Sequence, residues 1–360
     1  WLKCHVGSPQ KEPHSPVAIS CQMTWLCPLS LLLVAAAAPL DLSRTPLAEW
    51  PMIMAHDSAT AYLEGGSLHV INQWAKTQAD GGFTGMLDCG ARAFDFRPGP
   101  RDKHSGSVLA HHGKVIVKHE VTRMLDEVVR WAASHADGAS DLVLLGVTEV
   151  GAVKSDVQDM LSARNITYYT DCASLKGLTV LDAMEKAKLP VGGHVMAIFD
   201  CWEPNYDPSV ACSGFFDVHG QEVAWSQADK DFPAAEVYTC YNDSSTKQFP
   251  INRMFAYIDK VLAAGPPSDG RPYALQALWQ ETDASVVLGE LHGSSLLADE
   301  ARSGLNRLLA DRVRAGAMDV RRLGLLEVND VCDYSNELIA AIRERRNATY
   351  PIADAPTLLV

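Results

Sequence analysis

The sequence lacks a basic excess: 31 Lys and Arg stand against 44 Asp and Glu, a formal net charge of −13. A protein that grips phosphate backbones needs a positive surface to release condensed counterions, so nucleic acid is excluded as a partner. It lacks any CxxC pair, which argues against a cysteine-built zinc site. It has no internal repeat and no low-complexity segment, and nothing in it marks a second domain. Its apolar run from Leu29 to Leu40 is too short to span a bilayer comfortably.

What is present is bulk. With 360 residues, 47% of them apolar, the chain can bury a large core, enough for one big α/β barrel or two smaller domains. The run that is too short for a membrane ends in small residues, AAAAP, and reads as a secretory signal peptide over residues 23–40, cleaved near Ala38. A buried core helix is the competing reading of that run. The first methionine is Met23, and the segment after it carries no Lys or Arg before the apolar stretch; residues 1–22 read as an upstream leader or as a longer n-region with Lys3 and Lys11. Sequons at Asn165, Asn242 and Asn347 accord with export. So do the six cysteines beyond the leader, Cys89, Cys172, Cys201, Cys212, Cys240 and Cys332, an even number expected to form disulfides in an oxidising, extracellular compartment.

Downstream, β-rich runs alternate with helical patterns, the signature of a parallel sheet with crossover helices. Eight strands are predicted, at 51–56, 91–97, 107–112, 141–147, 194–200, 236–241, 274–280 and 323–329, and eight closes a barrel. Apolar residues at helical spacing follow in KHEVTRMLDEVVRWAASHADG, VKSDVQDMLSA, NRMFAYIDKVLAAG and LLADEARSGLNRLLADRVRAG. Residues 201–233 read as one long loop; its aromatics Trp202, Tyr206, Phe215 and Phe216 either touch lipid or pack beneath the loop itself. A single domain over 41–350 with a tail at 351–360 is the expected organisation.

In such barrels chemistry sits at the C-terminal ends of the strands. That rule selects His56 and Asp57 after strand one, Asp95 and Arg97 on strand two, His111 and His112 on strand three, and Asp330 after strand eight. Successive strand residues face opposite ways, so only one of His111 and His112 enters the mouth. By the same period, Phe94 and Phe96 share one face of RAFDFRP while Asp95 and Arg97 share the other. Two imidazoles, one guanidinium and several carboxylates suit a phosphodiester: one His removes a proton, the other supplies one, and Arg neutralises the non-bridging oxygens. The Asp95/Arg97 pair also admits a purely structural reading, as an ion pair closing the barrel.

The motifs AHDSAT, WAKTQ with LDCGARAFDFRP, LAHHG and LLEVNDVCDYSNEL resemble, in order and spacing, the X domain of phosphatidylinositol-specific phospholipase C and its secreted relatives, over roughly Trp50 to Arg346. The resemblance implies a distorted (β/α)8 barrel of the TIM type. It implies His56 as general base, His112 as general acid, Asp330 supporting the base, Asp57 supporting the acid, and Arg97 binding phosphate. Asp95 falls on the acidic strand-two position beside Arg97 and is expected to bind substrate. Calcium-dependent relatives carry a metal-binding acid where Arg97 stands, so the likeness is to the metal-free branch and no cofactor is expected.

Where bacterial enzymes clasp inositol, this chain offers Glu149, Asp200 and Tyr241 as substrate-binding residues. The expected substrate is a phosphoinositide or glycosyl-phosphoinositide lipid, met in transient contact with a membrane surface and cleaved through a cyclic inositol phosphate. Two alternatives stay open: a related phosphodiesterase for another headgroup, such as a glycerophosphodiester or sphingolipid, and a non-catalytic barrel that binds headgroups.

Overall fold

The structure, a computed structural model, describes residues 42–64, 69–136, 141–205, 214–217, 235–238, 251–266, 270–280 and 294–349. The signal-peptide segment, Cys212, Cys240, Tyr206, Tyr241 and Asn242 lie outside them. The strands are β1 (Met52–Ala55), β2 (Ala93–Phe96), β3 (Pro98–Arg101), β4 (Val108–His112), β5 (Val115–Glu120), β6 (Leu142–Val147), β7 (Thr167–Tyr169), β8 (His194–Phe199), β9 (Glu203–Asn205), β10 (Gly214–Asp217), β11 (Ala235–Tyr238), β12 (Tyr273–Gln276) and β13 (Leu325–Val328). The α-helices are α1 (His69–Ala75), α2 (Gly82–Asp88), α3 (Val121–Ser134), α4 (Lys154–Ser162), α5 (Val180–Ala187), α6 (Ile251–Ala264), α7 (Leu296–Ser303), α8 (Leu305–Arg314) and α9 (Ser335–Thr349).

Eight strands form one sheet in the order β7-β8-β6-β2-β1-β13-β12-β9, and every pairing along it is parallel. Its curvature follows from chain length. β8 and β9 lie six strand spacings apart in this order, about 29 Å if the sheet were flat. Yet only Asp200, Cys201 and Trp202 join them, and that connection reaches about 14 Å at full extension. The sheet therefore curls until its two ends approach each other. This is an α/β fold of the distorted (β/α)-barrel kind, even though no hydrogen-bonded pairing joins its ends among the described residues.

Period-two alternation sorts the core into two layers. Met52, Met54, Ala93, Leu142, Leu144, Met196, Ile198, Ala274 and Leu325 belong to one buried cluster, on the inner face. Ile53, Ala55, Phe94, Phe96, Val143, Leu145, Val195, Leu275 and Leu326 belong to the other, against the helices. As the alternation predicts, Phe94 and Phe96 pack outward: the ring of Phe83 on α2 lies 4.8 Å and 5.3 Å from theirs. Full burial of each such ring contributes about 1.5–3 kcal/mol. Gly146 lies on the inner face, where an added Cβ would stand 2.8 Å from Nε1 of Trp202. Trp202 is thus a core residue filling the barrel, not a loop aromatic offered to lipid.

Two of the eight predicted strands take other seats. Residues 107–112 do form a strand, but β4 belongs to a separate antiparallel sheet, β3-β4-β5. Pro98 and Pro100 follow β2 directly, and without N–H groups they cannot extend a central ladder. The chain folds back instead, and His111 N donates to Arg97 O at 3.0 Å. Of the predicted run 236–241, residues 236–238 fall on β11, which pairs antiparallel with β10, and 239–241 lie outside the described residues. Their places in the barrel go to the three-residue strands β7 and β9, too short to announce themselves by periodicity. LLADEARSGLNRLLADRVRAG becomes two helices, because Gly304 at φ +62° ends α7 in the left-handed conformation glycine tolerates.

Among the described residues two disulfides are formed, Cys89–Cys332 and Cys172–Cys201, with sequence separations of 243 and 29. The first ties the end of α2 to the segment that follows β13. Chain entropy assigns about 5 kcal/mol to the longer loop and about 4 kcal/mol to the shorter. Cys332→Ser paired with Cys89→Ser is therefore expected to lower the melting temperature on the order of 10 °C, and more than the Cys172/Cys201 pair does, as calorimetry would read.

Candidate active site

Four acidic residues just past the C-terminal ends of barrel strands hold positive φ: Asp57 (42°), Glu149 (53°), Asp200 (52°) and Asp330 (41°). Non-glycine residues are uncommon there, and such strain concentrates at functional sites. The ends of β1 and β13 are held together by the WAKTQ segment. Thr77 Oγ1 and Gln78 Nε2 both donate to His56 O, at 2.7 and 3.0 Å, and Gln78 Nε2 also donates to Val328 O. Gln78 Oε1 accepts from Val331 N, and Thr77 O from Asp330 N. The motif is a staple that fixes where His56 emerges.

The register pairs Ala55 with both Phe94 and Val328. One residue further on, His56, Asp95 and Asn329 share a layer at the barrel mouth. His56 Nδ1 lies 2.8 Å from Asn329 Oδ1, and its Nε2 lies 3.2 Å from Asp57 Oδ2. His112 Nε2 approaches the same Asp57 oxygen at 3.0 Å, while its Nδ1 donates to Ala75 O at 2.8 Å. The two imidazole rings are 6.3 Å apart, one edge-on to the other. Arg97 Nε lies 2.9 Å from Asp57 Oδ1, its Nη2 donates to Asp95 Oδ2 at 2.7 Å, and its Nη1 stands 3.3 Å from Glu149 Oε1.

Burial pushes His56 below its ordinary pKa, against the pull of Asp57 and Asp95. Burial works against ionisation of Asp57 too, but His56, His112 and Arg97 outweigh it and hold that carboxyl below the usual range. Burial raises Asp95, with Arg97 opposing. Glu327, directly beneath on the inner face, is raised well above the carboxylate range by burial and by Asp95. Arg97, although burial disfavours its charge, is held cationic by Asp95 and Asp57. The result is a neutral imidazole poised to accept a proton beside a fixed guanidinium.

One ligand atom each from His56, Asp57 and Asp95 falls within 4.8 Å of the others, a spacing that could hold a cation. Both carboxylates already face Arg97, however, and a divalent ion there would meet a fixed positive charge within hydrogen-bonding distance of its own ligands. The residues do not fit a metal.

Of the residues expected from sequence, His56, Asp57, Asp95, Arg97, His112 and Glu149 converge. Asp330, expected to support His56, does not meet it: the partner of His56 Nδ1 is Asn329, one residue earlier, because the inward-facing side chain of this layer is the one in register with His56. The Asp330 carboxyl is pushed up to about 6 by burial and by Asp333. Asp95 is wholly buried and spends its oxygens on Arg97 and Asp57 N, so it orients the guanidinium and has no face left for substrate. Asp200 is exposed on the rim, accepting from Thr148 Oγ1 at 3.2 Å, with Lys154 Nζ 3.5 Å away. Tyr241 lies outside the described residues. Sequence pattern alone does not single out Lys154, Asn329 or Glu300: Asn329 stands inside LLEVNDVCDYSNEL, but Glu300 meets Asn329 from a helix with no motif at all.

Among solved structures, the chain resembles two of phosphatidylinositol-specific phospholipase C from Staphylococcus aureus. One, with pentafluoro-Phe incorporated, gives a TM-score of 0.51 at 15% identity over 84% of this chain and 95% of that one. The other, a double mutant, gives 0.50 at 17% identity over 84% and 94%. At such identity the likeness is one of fold. No family model matches the sequence, and neither does any curated protein.

Proposed function

We propose that the protein is a phosphodiesterase that cleaves a phosphoinositide-type lipid by attack of a neighbouring hydroxyl on phosphorus. The observation that carries this reading is the arrangement of His56 and His112, which meet one Asp57 oxygen at 3.2 and 3.0 Å with Arg97 bound to the other. His56 Nε2 takes the proton of the attacking hydroxyl as the new O–P bond forms. The bond to the lipid oxygen breaks, and His112 Nε2–H delivers a proton to that leaving oxygen. Arg97, held by Asp57 and Asp95 through Nε and Nη2, offers Nη1 to a non-bridging oxygen as charge gathers there. The product is a cyclic phosphate, and its later hydrolysis runs the two histidines in opposite roles.

Glu149, and Asp200 with Lys154 beside it, are the groups that would meet a polyhydroxylated headgroup; Tyr241 is assigned there from sequence. The fold's similarity to a lipid-cleaving enzyme and the 16% side-chain exposure of Arg97 at the mouth support a headgroup entering from above. Two disulfides, an exposed sequon asparagine at Asn165 and the 23–40 segment support export; among the described residues no helix is long and apolar enough to cross a membrane. Intact mass of the secreted protein checks this, with a mature end near residues 39–41 expected.

The deciding experiment incubates the protein with a panel of phospholipid vesicles and identifies the water-soluble product. Cyclic inositol phosphate from phosphatidylinositol supports the proposal. Cleavage confined to sphingolipid or glycerophosphodiester substrates, or none with any lipid, overturns it. Because burial lowers His56, the acid limb of kcat/KM should lie below pH 6.5, the side on which an exposed imidazole would already be protonated.

A further inference from the structure

Asn329 presents its oxygen to His56 only because both of its N–H groups are engaged elsewhere. Nδ2 donates to Trp279 O at 2.9 Å and to Glu300 Oε1 at 2.7 Å. Glu300 lies on α7, is 1% exposed, and uses the same Oε1 to accept from Trp279 N at 3.1 Å. Ser303 Oγ donates to the Glu300 backbone carbonyl, and Asn306 Nδ2 donates to Asn329 O. The amide nitrogen is therefore gripped by Trp279 and Glu300 while the oxygen is left to His56.

This grip settles a competition at His56. Asp57 Oδ2 faces Nε2 at 3.2 Å and favours the tautomer that carries its hydrogen there. In that tautomer Nε2 has no lone pair and cannot act as a base. If Asn329 turned over, its Nδ2 would donate to a bare Nδ1 and lock in the inactive form. With the oxygen held towards His56, Nδ1 must carry the hydrogen and Nε2 is left free to accept one.

We infer that Glu300 is a positioning residue of the site: through Asn329 it selects the Nδ1–H tautomer of His56 against the preference of Asp57. The inference rests on the reading of His56 as general base, but its structural half does not need a substrate. Burial pushes the Glu300 carboxyl up to about 8, so at neutral pH it acts as an uncharged acceptor. Gln is then its matched replacement, since an amide oxygen can accept from both Trp279 N and Asn329 Nδ2. Leu removes the acceptor and keeps comparable volume.

The test is 15N NMR of histidine-labelled, ligand-free protein at pH 7.5, beside turnover of phosphatidylinositol vesicles. Wild type and Glu300→Gln are expected to show His56 protonated on Nδ1, and Glu300→Gln to retain turnover within about threefold. Glu300→Leu is expected to move the hydrogen to Nε2 and to lower kcat by about 10²-fold with KM little changed, the size of a general-base contribution. An Nε2–H tautomer in wild type or in Glu300→Gln overturns the inference, as does an Nδ1–H tautomer in a folded Glu300→Leu protein. Should Glu300→Leu not fold, the first two spectra still decide. If all three spectra come out as expected but no protein cleaves lipid, the proposed activity is wrong while the tautomer control stands.

Discussion

His56→Ala is expected to lower turnover by about 10²–10⁴-fold, and His112→Ala by a similar factor, with the fold intact in both. In the proposed mechanism each removes a group that moves a proton in the transition state, and neither ring is a packing element of the two apolar layers. The two losses should differ in character. Without His56 the attacking hydroxyl keeps its proton, so a lipid with an activated leaving group is not rescued. Without His112 only the leaving oxygen suffers, so a substrate with a good leaving group, such as a nitrophenyl phosphodiester, should recover much of the rate. Circular dichroism and melting temperature establish folding. A folded His112→Ala protein with wild-type turnover would sink its assignment as the acid. Rescue of His56→Ala by the good leaving group would reverse the two roles.

The second large effect concerns Arg97. Activity should survive excess EDTA, and Arg97→Lys should lose about 10²–10³-fold, the scale of removing a preorganised donor from a charge-stabilising site. The geometry explains why Lys fails. Nε and Nη2 are committed to Asp57 and Asp95, and the same planar group still directs Nη1 towards the mouth. A lysine ammonium can satisfy the carboxylates or reach a phosphate oxygen, but its point-like charge cannot do both in fixed directions. Arg97→Asp should be inactive in chelator; partial recovery with added Ca²⁺ would indicate that the guanidinium occupies what is otherwise a cation position beside His56, Asp57 and Asp95. Loss of wild-type activity in EDTA, restored by Ca²⁺, would refute the account, and so would an Arg97→Lys protein with undiminished turnover.

Much of this molecule is legible in the amino-acid sequence. Six of the eight predicted barrel strands are in the sheet, because runs such as LVLLGV and VMAIF are apolar on both faces and only a covered parallel strand tolerates that. The strand-end rule brought His56, Asp57, Arg97 and His112 forward together. The outward packing of Phe94 and Phe96 follows from period two alone. Errors arose where local pattern is degenerate. VLAHH and EVY read as strands and are strands, yet nothing in five residues says whether the neighbour runs parallel or antiparallel, and Pro98 turned the first of them away from the barrel. The three-residue strands β7 and β9 carry too little sequence to be seen at all.

What the sequence determined by itself is the class of fold and the residue types assembled at the strand ends, since those depend on periodicities of two and 3.6 and on side-chain chemistry. Which side chain meets which was decided by tertiary structure. Asn329 and Asp330 are neighbours in sequence, and a shift of one residue in strand register exchanges the one that faces His56. Asp95 could be read as a ligand for substrate until burial left it to Arg97. Glu300 reaches the site from α7 only because folding brings that helix against Trp279 and Asn329. Contacts between segments distant in the chain depend on register, curvature and packing of the whole barrel, and no local pattern encodes them.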